Sequence, residues 1–285
     1  MKIKNIYESI EEVRDIIAEK FMSNYSLEHV YKAVMYAFIY AALQRSRGLS
    51  SVDLLRPLEK KIPLLLVAAA RRQLVDKMHG LAEYVEEIIS ADSPVLIRDE
   101  ADFKQIIDNV KDQIGSVDYV FVYDCMSLIE KLVASAYLSV KGIKTIFLNT
   151  IFLNPVGLTM YMTQQLSDTK YRPSLQGVAR YAANQLRASL YMKNPFIDVE
   201  VHKTGLLGVE EFADRVAIDK IVNEIMYWSR KGNILVFSDH GYDVIARPNE
   251  NYLYVVHGFR RRDSSGSIPV LLLSRLSFFM ATLKG

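Results

Sequence analysis

The sequence holds a single cysteine among 285 residues, which excludes an internal disulfide and any cysteine-built zinc cluster. Neither sign of charge dominates: 35 Lys and Arg against 33 Asp and Glu leave +2. No global field therefore draws nucleic acid, although local basic patches stay open. Long apolar runs are missing as well. Ile62 to Ala70 is nine residues, against about 20 needed to span a bilayer. The opening MKIKNIYESIEEV is charged and has no apolar secretory core, so the expected location is cytoplasmic and no membrane partner is expected. Glycine (13) and proline (8) are too few for a collagenous or low-complexity chain, and there is no internal repeat. What is present is 50% hydrophobic and 24% charged, enough for one or two domains with a sizeable core. Five histidines complete the inventory.

The first 115 residues read as helix. Ile3, Ile6, Ile10, Val13, Ile16 and Ile17 recur at helical spacing over 3–22. A second helix is predicted from Ser26, a good N-cap, to Arg47, with Gly48 as its stop. Further helices are predicted over 63–90 and 99–114, with a short strand at 94–98. His29 and His79 lie in these helices without partners at metal spacing, and read as surface or satisfied core histidines. This region is set apart as a helical N-terminal domain, 1–115, with the capacity to bind a protein partner.

After Gly115 the pattern changes to strands alternating with helices. Strands are predicted at 117–123, 143–148, 195–201, 233–238, 252–257 and 268–273. Helices are predicted at 126–141, 155–167, 174–192 and 207–231. This alternation implies an α/β domain over 116–285 with a mostly parallel sheet flanked by helices. In such sheets ligands gather outside the carboxyl ends of the strands.

Four strand ends carry chemistry. The first strand ends at Asp124, and another at Asp239-His240-Gly241. Strand 252–256 delivers His257-Gly258, and the stretch from 195 delivers Asp198 and His202 at D-x-x-x-H spacing. Three aspartates and three histidines suffice for two divalent ions, and imidazole with carboxylate suits Zn²⁺, Mn²⁺ or Fe. The bland readings are ordinary ones: a strand-end Asp caps the next helix, and D-x-x-x-H arises by chance.

The order of these motifs resembles the alkaline phosphatase superfamily, and within it the PglZ domain, over about 116–285. VYDCMSLIE (122–130) is similar to that domain's strand and turn, and NPVGLTMY (154–161) to its nucleophile segment. DVEVHKTG (198–205), LVFSDHG (235–241) and VVHGFRRRDSSGSIPVL (255–271) follow in the family's order. The resemblance implies an alkaline-phosphatase-like fold and a metal-dependent phosphoester or phosphodiester hydrolase. It implies one metal on Asp124, Asp239 and His240 and a second on Asp198, His202 and His257, with Zn favoured and Mn as the other choice. Such a pair clamps both oxygens of an in-line displacement.

The sequence departs from the family at two places. Asn154 stands where the family has a hydroxyl nucleophile, and an amide cannot form the usual phospho-enzyme. Asn154 followed by Pro155 is also a good helix start. Three outcomes follow: Thr150 supplies the hydroxyl, metal-bound water attacks with Asn154 orienting it, or hydrolysis is lost and a binding, signalling or phage-defence module remains. Cys125 stands where the family has Gly, and reads as a small buried hydrophobe. Arg260, Arg261, Arg262 and Lys203 follow the histidine motifs directly. They are candidate contacts for an anionic phosphoester or nucleotide-like substrate; the plain alternative is a solvated charge run.

Overall fold

Strand Tyr119–Tyr123 (β1) shows how the sheet is made. Its side chains alternate between two buried faces: Phe121 and Tyr123 enter one core, Val120 and Val122 the other. A strand apolar on both faces must be sandwiched between helical layers. The computed structural model describes residues 4–45, 68–90, 103–202, 207–247, 250, 252–258 and 266–284.

Four helices come first: α1 (Lys4–Lys20), α2 (Leu27–Arg45), α3 (Ala68–Ser90) and α4 (Phe103–Ile114). After β1 come α5 (Leu128–Val140), β2 (Lys144–Leu153), α6 (Thr159–Gln164), α7 (Leu175–Leu186) and β3 (Leu190–Asn194). Next are α8 (Phe196–His202), β4 (Leu207–Gly208), α9 (Val209–Arg215), α10 (Ile218–Ser229) and β5 (Ile234–Phe237). The chain continues through β6 (Asp243–Arg247), β7 (Tyr252–Val256), β8 (Ile268–Leu272), a short 3₁₀ turn and β9 (Leu276–Leu283).

The main sheet runs β2-β9-β5-β1-β3. β1 is parallel to β3 and β5, whereas β9 is antiparallel to both β5 and β2. The sheet is thus mixed, with four strands pointing one way and β9 reversed between β2 and β5. β6, β7, β8 and β4 form a second, antiparallel sheet ordered β4-β7-β6-β8. The segments predicted at 252–257 and 268–273 are strands, but they belong to this second sheet.

Packing is continuous across residue 115. The buried residues of α1, α2 and α3 join one cluster with those of α5, α10 and alternate residues of β1 and β5. α4 instead joins α6, α7 and the opposite face of the sheet, through Phe103, Ile106, Ile107 and Val110. α2 is buried over most of its surface, packed by α3, α5, α9, α10 and β8. Fully burying one such apolar side chain contributes on the order of 1.5–3 kcal/mol. No described helix is long and apolar enough to cross a membrane.

Several predicted elements differ. The helix expected over 155–167 is only α6, Thr159–Gln164, because Asn154 and Pro155 start a turn, closed by the Gly157 amide on the Asn154 carbonyl at 3.0 Å, and not a helix. The strand expected at 195–201 is instead β3 followed by α8: Asn194 Oδ1 accepts the Phe196 amide at 3.0 Å and starts the helix. The alternation I-D-V-E-V-H misleads there, because Ile197 and Val201 are buried at helical spacing while Val199 is exposed. The helix expected over 174–192 stops at Leu186, where Arg187 turns left-handed (φ 57°). The long helix expected over 207–231 breaks at Val216, whose backbone is extended, into α9 and α10. The strand predicted at 94–98 lies outside the described residues.

Candidate metal centre

The carboxyl ends of β1, β3, β5 and β2 all open on one edge of the main sheet, as their pairing directions require. β1 ends at Asp124, and β5 runs into Ser238, Asp239 and His240. β3 leads into α8, which holds Asp198 and His202 one turn apart on one face. β2 leads into the loop of Asn154, and that loop into α6, which starts at Thr159. β7, in the second sheet, brings in His257. Asn194, the last residue of β3, joins β1 to α10: its backbone carbonyl accepts the Asp124 amide at 2.8 Å, and its side-chain Nδ2 donates to Glu224 at 2.9 Å.

Six candidate ligands gather as two groups of three. Asp124, Asp239 and His240 form a buried group, and Asp198, His202 and His257 a more open one. Within each group the ligand atoms lie within 4.8 Å of one another. The groups adjoin, because the His240 and His257 rings stack with centroids 5.2 Å apart.

The buried group is short of partners. Asp124 Oδ1 and both carboxylate oxygens of Asp239 are buried without a hydrogen bond. An unpaired buried carboxylate is costly, and a cation is what such oxygens lack. His240 Nδ1 lies 2.8 Å from the Gly241 carbonyl, which can only accept, so Nδ1 carries the proton. Nε2, the other ring nitrogen, faces Asp239 Oδ2 at 3.3 Å. Burial, with the Asp239 and Asp198 carboxylates, pushes Asp124 up to about 6. Lys193 opposes this from 3.1 Å. These residues fit a divalent metal: two carboxyl groups and an imidazole whose Nε2 turns inward while Nδ1 is held by a carbonyl.

In the open group, His202 Nε2 lies 3.2 Å from Asp198 Oδ1 and 2.5 Å from His257 Nε2. Burial, and then the neighbouring His240 and His202, hold His257 below the usual histidine range, which favours the neutral ligand form.

Other predicted residues fall differently. Asn154 is fully buried, and its side chain serves backbone. Nδ2 donates to the carbonyls of Leu158 (2.9 Å) and Asp239 (3.1 Å), and Oδ1 accepts the Leu158 amide (3.3 Å). Thr150 is a buried residue inside β2, not a member of the loop that follows it. Cys125 is fully buried with a left-handed backbone (φ 68°), the conformation that favours glycine. Burial and the surrounding carboxylates keep its thiol protonated. Lys203, Arg260, Arg261 and Arg262 lie outside the described residues.

Two site residues were not singled out from the sequence. Thr159 Oγ1 lies 3.3 Å from His240 Nε2, so a hydroxyl does reach the buried group, five residues after Asn154. Lys193 pairs with Asp124 from β3. A Thr opening a helix after N-P-V-G was the available signal for the first; nothing local marked the second. Against known proteins, no family model matches the chain and no curated protein matches it.

Proposed function

We propose that the chain is a metal-dependent phosphoester or phosphodiester hydrolase of PglZ type, in the alkaline phosphatase superfamily. One observation supports this above the rest: six ligand-type side chains from separate segments meet as two adjoining three-residue groups, the inner one holding orphaned carboxylate oxygens. Asp124, Asp239 and His240 would hold one divalent ion, and Asp198, His202 and His257 the other, with Zn²⁺ first and Mn²⁺ second in preference. Two such ions, when bound, offset the charge on the attacking and leaving oxygens of an in-line displacement. The chain's own residues do the rest. His240 is oriented by the Gly241 carbonyl. Thr159 presents a hydroxyl beside it. Lys193 supplies a cation on the rim for an anionic substrate.

The test is direct. Purified protein equilibrated with Zn²⁺ or Mn²⁺ is expected to retain about two ions per chain, and to hydrolyse p-nitrophenyl or bis-p-nitrophenyl phosphate. Asp239→Asn and His240→Ala should abolish turnover and retain about one ion. Equal metal uptake by wild type and both variants would overturn the assignment.

A second reading has its own support. Asn154, at the family's nucleophile position, is fully occupied by backbone hydrogen bonds. A PglZ-like binding or signalling module that holds metal and ligand without turnover fits that observation. Stoichiometric metal with no hydrolysis of either ester would favour it.

A further inference from the structure

Glu130 and Lys131 are consecutive, fully buried ionisable residues, yet neither belongs to the ligand groups. Such residues are almost never fully buried unless their charges are used. Burial pulls the Lys131 ammonium down to about 7, against the pull of the Glu130 and Asp239 carboxylates. An apolar pair would pack there at less cost in desolvation. The hydrogen bonds show what the charges reach.

Both residues lie in the first two turns of α5, just after the loop of Asp124. Lys131 Nζ donates to the Met126 carbonyl (2.7 Å) and to Ser238 Oγ (2.8 Å). Glu130 Oε2 accepts from Ser127 N (2.8 Å) and Ser127 Oγ (2.5 Å). Glu130 Oε1 accepts from Tyr242 OH (2.8 Å) and Tyr31 OH (2.7 Å). Lys131 therefore ties residue 126 to residue 238, and Glu130 ties residue 127 to residue 242. Asp239 and His240 lie between those two ties. The ligand loop is bracketed at both ends onto the loop of Asp124, and Tyr31 brings α2 into the bracket.

Resting on the reading of Asp124, Asp239 and His240 as a metal group, the geometry points to Glu130 and Lys131 as positioning residues for that group. Tyr31 and Tyr242 complete the bracket, which makes an N-terminal helix part of the site's support. Partners that orient ligands in this way are worth about 10- to 100-fold in metal affinity.

The test uses the full chain. Tyr31→Phe and Tyr242→Phe each delete one hydroxyl and keep the ring; Lys131→Met and Glu130→Gln cut deeper and carry more risk to folding. One readout is amide hydrogen exchange over 238–243 in metal-free protein. The other is Zn²⁺ affinity of the buried group, measured by competition with a chromophoric chelator in a His202→Ala background. Either Tyr→Phe change is expected to speed exchange there about tenfold and to weaken Zn²⁺ about tenfold. Variants that only lower the thermal midpoint, with exchange and Zn²⁺ affinity as in the parent, would overturn the proposal. A parent that binds no Zn²⁺ overturns the metal reading instead, and the exchange data then decide the bracket by themselves.

Discussion

Asn154, in the loop after β2, and Thr159, at the start of α6, do opposite work. Asn154 stitches the turn 154–158 to the Asp239 carbonyl, while Thr159 points its hydroxyl at His240. Replacing Asn154 by Ala or Thr is expected to cost about 1–3 kcal/mol in denaturant unfolding, because buried backbone carbonyls lose their donor. Thr159→Val should leave stability within about 1 kcal/mol, since its contact is long and partly exposed. It should lower turnover if the hydrolase reading holds. Titration gives a second expectation. Asp124 rises from 3.8 to about 6 on folding, so it favours the metal-free fold at low pH, and that contribution is lost as pH rises through about 6. His257, held low, acts in the opposite sense on the metal-free fold. For metal binding the two agree, because both must be unprotonated. The rise in melting temperature caused by Zn²⁺ should therefore be larger at pH 7.5 than at pH 5, in matched thermal scans. At this scale the two Asp and His groups were legible as candidates, since Asp and His after apolar strands have few packing uses. Thr159 was not, because its contact depends on how the Asn154 turn folds.

Among the elements, those with one unambiguous period were legible, and those with mixed signals were not. α5 was expected over 126–141 and its Ser127 and Glu130 capping box fixes its start, while β1 was readable from its apolar run. α8 was hidden by β-branched alternation and is started by the side chain of Asn194, whose backbone carbonyl accepts the Asp124 amide. Asn194→Ala should unsettle the start of α8 and, with it, the open group. The expected outcome is weaker Zn²⁺ retention at Asp198, His202 and His257, read by elemental analysis in a His240→Ala background. The turn after His240 admits little change either. A Cβ on Gly241 would lie 2.8 Å from the Leu273 carbonyl and 3.1 Å from Ser127 Cβ, both set by neighbouring elements. Gly241→Ala is expected to lower the thermal midpoint by several degrees, consistent with overpacking of about 1–3 kcal/mol.

For the whole molecule, the change of pattern at Gly115 was legible, but the packing across it was not. Periodicity reports which face of a helix is apolar, and says nothing about which partner covers it. Here α1 and α2 both pack on α5, and their buried residues share one cluster with its Ile129, Leu132 and Val133. A fragment of residues 116–285 is therefore expected to bind a hydrophobic dye and to lack a cooperative melt, whereas the full chain melts sharply. The place of β9 has a further consequence, for synthesis. β2 is made more than a hundred residues before β9, yet its ladder partner in the sheet is β9, which also pairs with β5. A chain emerging from the ribosome can assemble β1, β3 and β5 early, but β2 must wait with an open edge until the last strand arrives. The nascent protein thus carries β2 unpaired while more than a hundred further residues are made, and the insertion of β9 between β2 and β5 closes the sheet.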